Sequence, residues 1–239
     1  MRRSSLLIVP LALALLSGVA RAEDATIGLT APAAIAGDVD AFPKLVAHDA
    51  IANKINAALV KLDGRVRKAR AECLTAKNAD WSRSIEVTMR GPRYLSYVVR
   101  DATFCGGANP NASGFALVYD LSSGVPVDWS RLLPKPLVER TALDTSADGA
   151  AIGVVGSKAL TALYLAGLDK DLDPSCDQVL RETDLNFLLW PDAEKKGLAI
   201  ETISLPHVVQ ACTDVVVIGL PKLRELGAAA SLIEGLEGR

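Results

Sequence analysis

Four cysteines downstream of a secretory leader constrain the fold of this chain more than any other feature of its sequence. They are Cys73, Cys105, Cys176 and Cys212. Thiols in an exported protein are oxidised, so an even number of them predicts disulfides. Four cysteines allow three connectivities, and their spacing alone does not decide among them.

The elements that flank each cysteine favour one pairing. Cys73 closes a long helical pattern, and Cys105 ends the strand pair that follows it. Cys176 opens a short helix, and Cys212 precedes the last strand. We therefore favour Cys73–Cys105 and Cys176–Cys212. A four-cysteine zinc site is the alternative, and it is disfavoured because the sequence has no C-x-x-C pair.

The leader has the three parts of a signal peptide. Arg2 and Arg3 precede an apolar run at residues 6–16, and Ala20 and Ala22 supply the small residues that signal peptidases require. The run is too short to span a bilayer, which takes about 20 residues. We expect cleavage after residue 22, a mature chain that begins at Glu23, and a periplasmic or secreted location. We expect no membrane insertion after cleavage, because no second long apolar stretch follows.

Loss of the leader makes the chain more acidic. The formal net charge is −2, and removal of Arg2, Arg3 and Arg21 takes it to about −5 on the same residue count. A chain with this balance lacks the basic surface that nucleic acids and anionic membranes attract. The charge is instead suited to a basic partner.

Hydrophobic periodicity predicts an α+β fold. Apolar residues recur every three or four positions over residues 51–73, which indicates a helix. Alternation at 85–89 and 94–104 predicts a hairpin, and two further strands are expected at 115–121 and 125–129. Helices near 158–168 and after Pro174 come next, then a hairpin at 186–190 and 198–203, a strand at 215–218 and a helix at 221–226. We expect one antiparallel sheet covered on one face by helices, a single domain at 23–226, and a flexible tail at 227–239.

One ordered block of the sequence resembles a known family. It runs from Tyr94-Leu95-Ser96-Tyr97 through Cys105-Gly106-Gly107-Ala108-Asn109-Pro110-Asn111 to Tyr119-Asp120-Leu121 and Ser123-Gly124. It is similar to the accessory domain of PdaC-type deacetylases and to the ectodomain of RsiV-type anti-sigma factors. The likeness extends over about residues 25–226. It departs from the family where Asn109 replaces the usual loop histidine, and where residues 205–212 lack the tyrosine-rich segment.

The resemblance implies roles in the cell envelope. Relatives of this domain include a lysozyme receptor and modules attached to peptidoglycan-modifying enzymes. A basic muramidase or peptidoglycan is therefore the expected ligand. The deacetylase activity is not implied, because no part of the chain resembles the deacetylase domain.

Few residues suit catalysis or metal binding. His48 and His207 are the two histidines, and the sequence contains no H-E-x-x-H, G-x-S-x-G or P-loop motif. Residues 153–158 have the wrong spacing for a phosphate loop and favour the entry to a helix. Asp169, Asp171 and Asp173 match the start of a calcium loop, but Pro174 stands where that loop needs glycine. We expect no metal, no cofactor and no catalytic group.

The loop after Cys105 is the best candidate for binding. Gly106 and Gly107 let backbone amides approach a partner, while Asn109 and Asn111 supply donors and acceptors. The alternative is a purely structural turn held by Cys105. We expect a non-catalytic binding module; a small cell-envelope hydrolase and a soluble partner of an envelope-stress sensor are the alternatives.

Overall fold

The computed structural model describes residues 26–31, 33–149, 151–168, 173–203, 205 and 207–238, with only the backbone of His207 and Val208. The expected signal peptide, together with Asp169 and Asp171, lies outside these ranges. No helix within them combines the length and the apolar character needed to cross a bilayer.

A first sheet of six strands holds the N-terminal half of the chain. Its spatial order follows the sequence, and every pairing is antiparallel except a single parallel bridge between the second and third strands. The strands are β1 (Ala33–Ala36), β2 (Val39–Ala41), β3 (Asp80–Arg90), β4 (Tyr94–Phe104), β5 (Asn111–Asp120) and β6 (Val125–Pro126).

Helix α1 (Ala50–Cys73) packs on one face of this sheet. Asp49 caps its first turn by accepting a hydrogen bond from the backbone N–H of Ala52 at 2.8 Å. The first part of the predicted apolar stripe, at Ile55 and Leu59, is buried with Tyr97, Val99 and Phe115 of the sheet. Its later part, at Val66 and Cys73, is buried with Val39 and Trp81. Ala52, which the predicted stripe did not include, is buried as well.

A second sheet of five antiparallel strands holds the C-terminal half, in the order β11-β10-β9-β8-β7. Strands β8 and β9 share only the register pair Val155–Phe187, so the β7–β8 hairpin diverges from the rest of the sheet. The strands are β7 (Arg140–Thr145), β8 (Ala151–Gly156), β9 (Asn186–Asp192), β10 (Gly197–Ile203) and β11 (Val216–Gly219).

Short helices surround the second sheet. A 3-10 turn at Lys135–Leu137 precedes β7. The predicted helix after Pro174 is present, with Pro174 in its first turn. The helices are α2 (Trp129–Leu132), α3 (Lys158–Gly167), α4 (Pro174–Glu182), α5 (His207–Gln210), α6 (Leu220–Leu226) and α7 (Ala230–Leu236).

The α+β class is confirmed, but the expected single sheet is wrong. Between the strand expected at 125–129 and the helix expected near 158–168, the structure contains the β7–β8 hairpin, which was not predicted. Residues 153–156 belong to β8, and the helix begins only after Ser157, whose hydroxyl accepts from the N–H of Leu160 at 2.9 Å. The hairpin was missed because its strands are short and rich in small residues, and most of β7 is exposed, so no clear alternation marks it.

The expected flexible tail at 227–239 is also corrected. Its described part contains α7, which buries Leu232, Ile233 and Leu236 in the main core. A Cβ added to Gly235 would come within 2.4 Å of the Tyr94 ring, so the helix backbone lies directly on that ring. The Tyr94 hydroxyl donates to the carbonyl of Ser231 at 3.2 Å. The packed domain therefore extends beyond residue 226.

Both favoured disulfides are present. Cys73–Cys105 joins the end of α1 to the end of β4, and Cys176–Cys212 joins α4 to the segment after α5. Each links residues more than 30 positions apart, at separations of 32 and 36. The described cysteines are all paired.

A buried charged pair lies between the first sheet and α1. Arg83 is 4% exposed and Asp101, its register partner across β3 and β4, is 3% exposed. The Arg83 guanidinium lies 5.3 Å from the ring centre of Phe42 and 5.6 Å from that of Phe115. Burial raises the pKa of Asp101, whereas Arg83 and the hydrogen bond from Trp81 act to lower it.

Removing one charge of this pair should destabilise the fold. Asp101→Asn keeps an acceptor for Trp81 but deprives Arg83 of the carboxylate that acts on it most strongly, so we expect the free energy of unfolding to fall by about 3 kcal/mol. Adding Arg83→Met should recover part of that loss, because the double variant buries no unpaired guanidinium. Urea unfolding of the two single variants and the double variant measures the coupling. Strictly additive losses would contradict a coupled pair.

Each disulfide should stabilise the fold separately. Replacing either pair with serines should lower the free energy of unfolding by about 2–4 kcal/mol, because the unfolded chain regains loop freedom. Urea unfolding without reductant measures the loss, and non-reducing peptide mapping should recover the 73–105 and 176–212 pairs. A crossed pairing in the wild-type chain would refute this topology.

Candidate functional site

A groove of about 670 Å³ lies between the N-terminal end of β5 and the C-terminal end of β10. We call it the polar groove. Its walls come from both sheets and from α5, and most of its side chains carry hydroxyl, amide or charged groups. They are Arg100, Asn111, Ala112, Ser113, Gly114, Asp144, Thr145, Leu188, Glu201, Thr202, Ile203, Leu205, Gln210 and Thr213.

An ion pair crosses the groove from one sheet to the other. Arg100 of β4 donates through Nη2 to Oε2 of Glu201 in β10. Arg100 is 41% exposed and Glu201 19% exposed, so the pair is accessible to solvent on the side of the arginine. The path of Arg100 depends on Gly114, where an added Cβ would lie 2.5 Å from Nη1 and 2.9 Å from the carbonyl oxygen of Val99.

Two hydroxyl groups in the groove walls have no hydrogen-bond partner among the described residues. They belong to Ser113 and Thr202, and both oxygens are buried. Thr202 as a whole is only 7% exposed. A buried polar atom without a partner costs about 1–3 kcal/mol. Both oxygens are closed to the groove in this arrangement, so a buried water is the partner that they favour.

The far wall of the groove is fixed by the second disulfide. Gln210 ends α5 and donates through Nε2 to the carbonyl of Leu205 at 3.3 Å. Thr213 donates its hydroxyl to the carbonyl of Gln210 at 2.8 Å. Because Cys212 lies between these two residues and is bonded to Cys176, the wall is covalently attached to α4.

The structure keeps three residues of the predicted binding loop in one turn and places the fourth in a strand. Gly106 and Gly107 have φ of 87° and 108°, which favour glycine, and they form an exposed turn beside the Cys73–Cys105 disulfide. Asn109 is exposed in the same turn. Asn111 lies in β5 rather than in the loop, and it lines the polar groove. Of the four, Asn111 is the one that the fold brings together with other polar side chains.

His48 and His207 belong to different parts of the fold. His48 is exposed just before α1, and its carbonyl accepts from Nδ2 of Asn53 at 3.3 Å. His207 begins α5, the helix that contributes Gln210 to the groove wall. Within the described ranges, no group of three His, Cys, Asp or Glu side chains is arranged to hold a metal ion.

Asp173, the described member of the acidic cluster, caps a helix. Its carboxylate accepts from the N–H of Ser175 at 2.8 Å and from the hydroxyl of Ser175 at 2.5 Å. These hydrogen bonds from Ser175 lower the pKa of Asp173 below its usual value. The carboxylate therefore acts as the N-cap of α4, as expected for an acidic residue before a helix.

The polar groove itself was not predicted from the sequence. Its central ion pair joins residues 101 positions apart, and sequence periodicity carries no information about such a pairing. One signal was available: Glu201 is the one charged residue in the otherwise largely apolar strand β10. A lone charge in such a strand indicates a counter-charge elsewhere in the fold.

Comparisons with known proteins assign no family to the chain. No protein-family model matches it, and no curated protein matches it. It is similar to a crystal structure of a member of the DUF3298 family from Bacteroides fragilis NCTC 9343, at 15% identity and a TM-score of 0.43. That alignment covers 82% of this chain and 76% of the other.

Gly114 should be required for the shape of the groove. Gly114→Ala places a methyl group against Arg100 and the Val99 carbonyl, so the β4–β5 ladder must shift, and we expect a loss of about 1–3 kcal/mol in the free energy of unfolding. Gly153→Ala is the matched control, because it is also a strand glycine and an added Cβ there meets nothing within 4 Å. Urea unfolding compares the two. Equal stability of both variants would contradict the close approach at Gly114.

Proposed function

We propose that this chain is a non-catalytic binding module of the bacterial cell envelope, and that the polar groove binds peptidoglycan. Its two disulfides support an oxidising compartment, because such bonds persist outside the cytosol. The observation that carries the proposal is the groove, which combines an accessible ion pair with hydroxyl and amide side chains along its walls.

The composition of the groove favours peptidoglycan over a basic muramidase. Peptidoglycan presents hydroxyl, acetamido and peptide amide groups, which are complementary to the hydroxyl and amide side chains of the walls. A basic protein would be attracted by an excess of acidic charge. The groove lining instead has two carboxylates, Glu201 and Asp144, and Glu201 is paired with Arg100, which leaves little excess of acidic charge. Electrostatic attraction of a muramidase is therefore the weaker alternative.

The ligand should be identified by calorimetric titration of residues 23–239. Soluble peptidoglycan fragments are the first titrant, and lysozyme, at low and moderate salt, is the second. We expect binding of the fragments with little dependence on salt. Binding of lysozyme alone, weakened by salt, would overturn the assignment of peptidoglycan and identify a basic protein as the ligand.

Asn111→Ala tests whether the groove is the binding site. Loss of one hydrogen bond to the ligand should weaken binding about three- to tenfold, and the exposed position should leave folding intact. Asn109→Ala is the matched control, since Asn109 belongs to the same segment but does not line the groove. The same titration measures both variants. An equal loss from both would place the ligand on the Gly106–Gly107 turn instead.

A catalytic role is tested with the same fragments. Mass spectrometry of fragments incubated with the chain should show no new products. Turnover that is abolished by His48→Ala or by His207→Ala would overturn the non-catalytic proposal and establish the hydrolase.

A further inference from the structure

Strand β5 has an open outer edge. On its inner side it pairs with β4 from Asn111 to Asp120 in one continuous register without a bulge. On its outer side β6 pairs only with Tyr119 and Asp120. From residue 111 to 117 the outer edge has no strand partner among the described residues.

One hydrogen bond identifies the backbone groups that point outward. The carbonyl of Val118 accepts from the N–H of Val127 at 2.8 Å, so the backbone polar groups of Val118 face away from β4. In an antiparallel ladder these directions alternate from residue to residue. The N–H and C=O groups of Ala116 and Gly114 therefore also point outward, with no backbone partner recorded in the described ranges.

The open edge borders a second groove, of about 750 Å³, which we call the apolar groove. Phe115, Leu117 and Trp129 contribute to one side of it, and Leu143 and Ile152 of the β7–β8 hairpin to the other. Leu143 is 77% exposed, an unusual state for a leucine in a strand. The groove thus combines unpaired backbone groups with apolar side chains.

The hairpin that forms the far wall is attached at both ends. At its tip the Asp148 carboxylate lies 3.3 Å from Nε of Arg65 in α1. At its base Arg140 lies 2.7 Å from Asp184 and donates to the carbonyl of Leu185 at 2.9 Å. A second copy of the chain would have to bring a whole sheet against β5, and the β7–β8 hairpin would clash with that sheet. A single strand needs only the width of one ladder, about 4.8 Å from its neighbour.

The edge also lacks the features that normally prevent strand addition. Residues 111–117 contain no proline and no charged side chain. The ionisable residue among those that line the apolar groove is Asp128, which caps α2 and pairs with Arg131 at 3.4 Å, so the groove favours a neutral segment and tolerates a basic one. A lipid chain would fill the apolar space but would leave the edge amides unpaired, whereas an extended peptide satisfies both.

We propose that the apolar groove binds an extended, neutral or basic peptide segment of a partner protein, which adds as a strand to the outer edge of β5. Its backbone pairs with Gly114 and Ala116, and its alternate apolar side chains contact Leu117 and Leu143. This site adjoins the polar groove at Gly114, which lines that groove, and it differs from the proposed peptidoglycan site in its ligand and in its remaining residues.

The test selects ligands for the chain (residues 23–239) from a phage-displayed library of random linear heptapeptides. We expect the enriched peptides to share apolar residues at alternate positions. Leu143→Asp should weaken their binding at least tenfold, and Val60→Asp, an equally drastic change at a 56% exposed valine of α1, should not. Absence of enrichment, or equal binding to both variants, would overturn the proposal. Peptidoglycan titration of Leu143→Asp should give the wild-type affinity, which keeps the two proposals distinguishable.

Backbone pairing needs its own test. Ala116→Pro removes an outward N–H without removing a β4 hydrogen bond, and it should weaken the selected peptide at least fivefold, whereas Ala116→Ser should not. Urea unfolding of both variants establishes that they fold. An N-methylated form of the selected peptide, offered to the wild-type chain, gives the same information if the proline variant is unfolded. The backbone amides of an extended peptide alternate between its two edges, so one peptide is N-methylated along one edge and a second along the other. If both bind as tightly as the unmodified peptide, strand addition is refuted.

Discussion

The buried guanidinium of Arg83 organises the first half of the molecule. It lies between the rings of Phe42 and Phe115, which come from the segment after β2 and from β5, and it faces Asp101 of β4. Burial lowers the pKa of Arg83, while nearby carboxylates, first Asp101 and then Asp148, act to raise it. Asp148 is at the tip of the β7–β8 hairpin. Electrostatic attraction between Arg83 and Asp148 therefore also stabilises the hairpin in its position beside the open edge of β5.

The two grooves follow from this arrangement. The hairpin leaves the second sheet and reaches α1, so β5 is left with an unpaired edge that runs between the two halves of the fold. Polar residues of β10 and α5 face one end of that edge, and apolar residues of the hairpin face the other. The Cys73–Cys105 disulfide attaches the end of β4 to α1, and the Cys176–Cys212 disulfide attaches the segment after α5 to α4. In both cases the two cysteines are more than 30 residues apart in the chain.

Strong local periodicity was sufficient to predict much of the fold. The stripe of α1, the β3–β4 and β9–β10 hairpins and the proline at the start of α4 are each determined by neighbouring residues, and all were predicted. The β7–β8 hairpin was not, because it is stabilised by distant contacts such as that of Arg65 with Asp148. For the same reason the loop glycines were recognised as a turn, whereas the groove that contains Asn111 depends on the distant pair Arg100–Glu201 and could not be predicted.

The position of α7 has a consequence for the order in which the chain can fold. Tyr94 belongs to the middle of the first sheet, yet its ring is covered by Gly235 and its hydroxyl is bonded to Ser231. Synthesis runs from the N-terminus, so β4 is complete long before the residues that cover it exist. Until the residues of α7 are made, the Tyr94 ring has no helix over it. A chain interrupted before α7 therefore leaves that part of the main core uncovered and accessible to proteases.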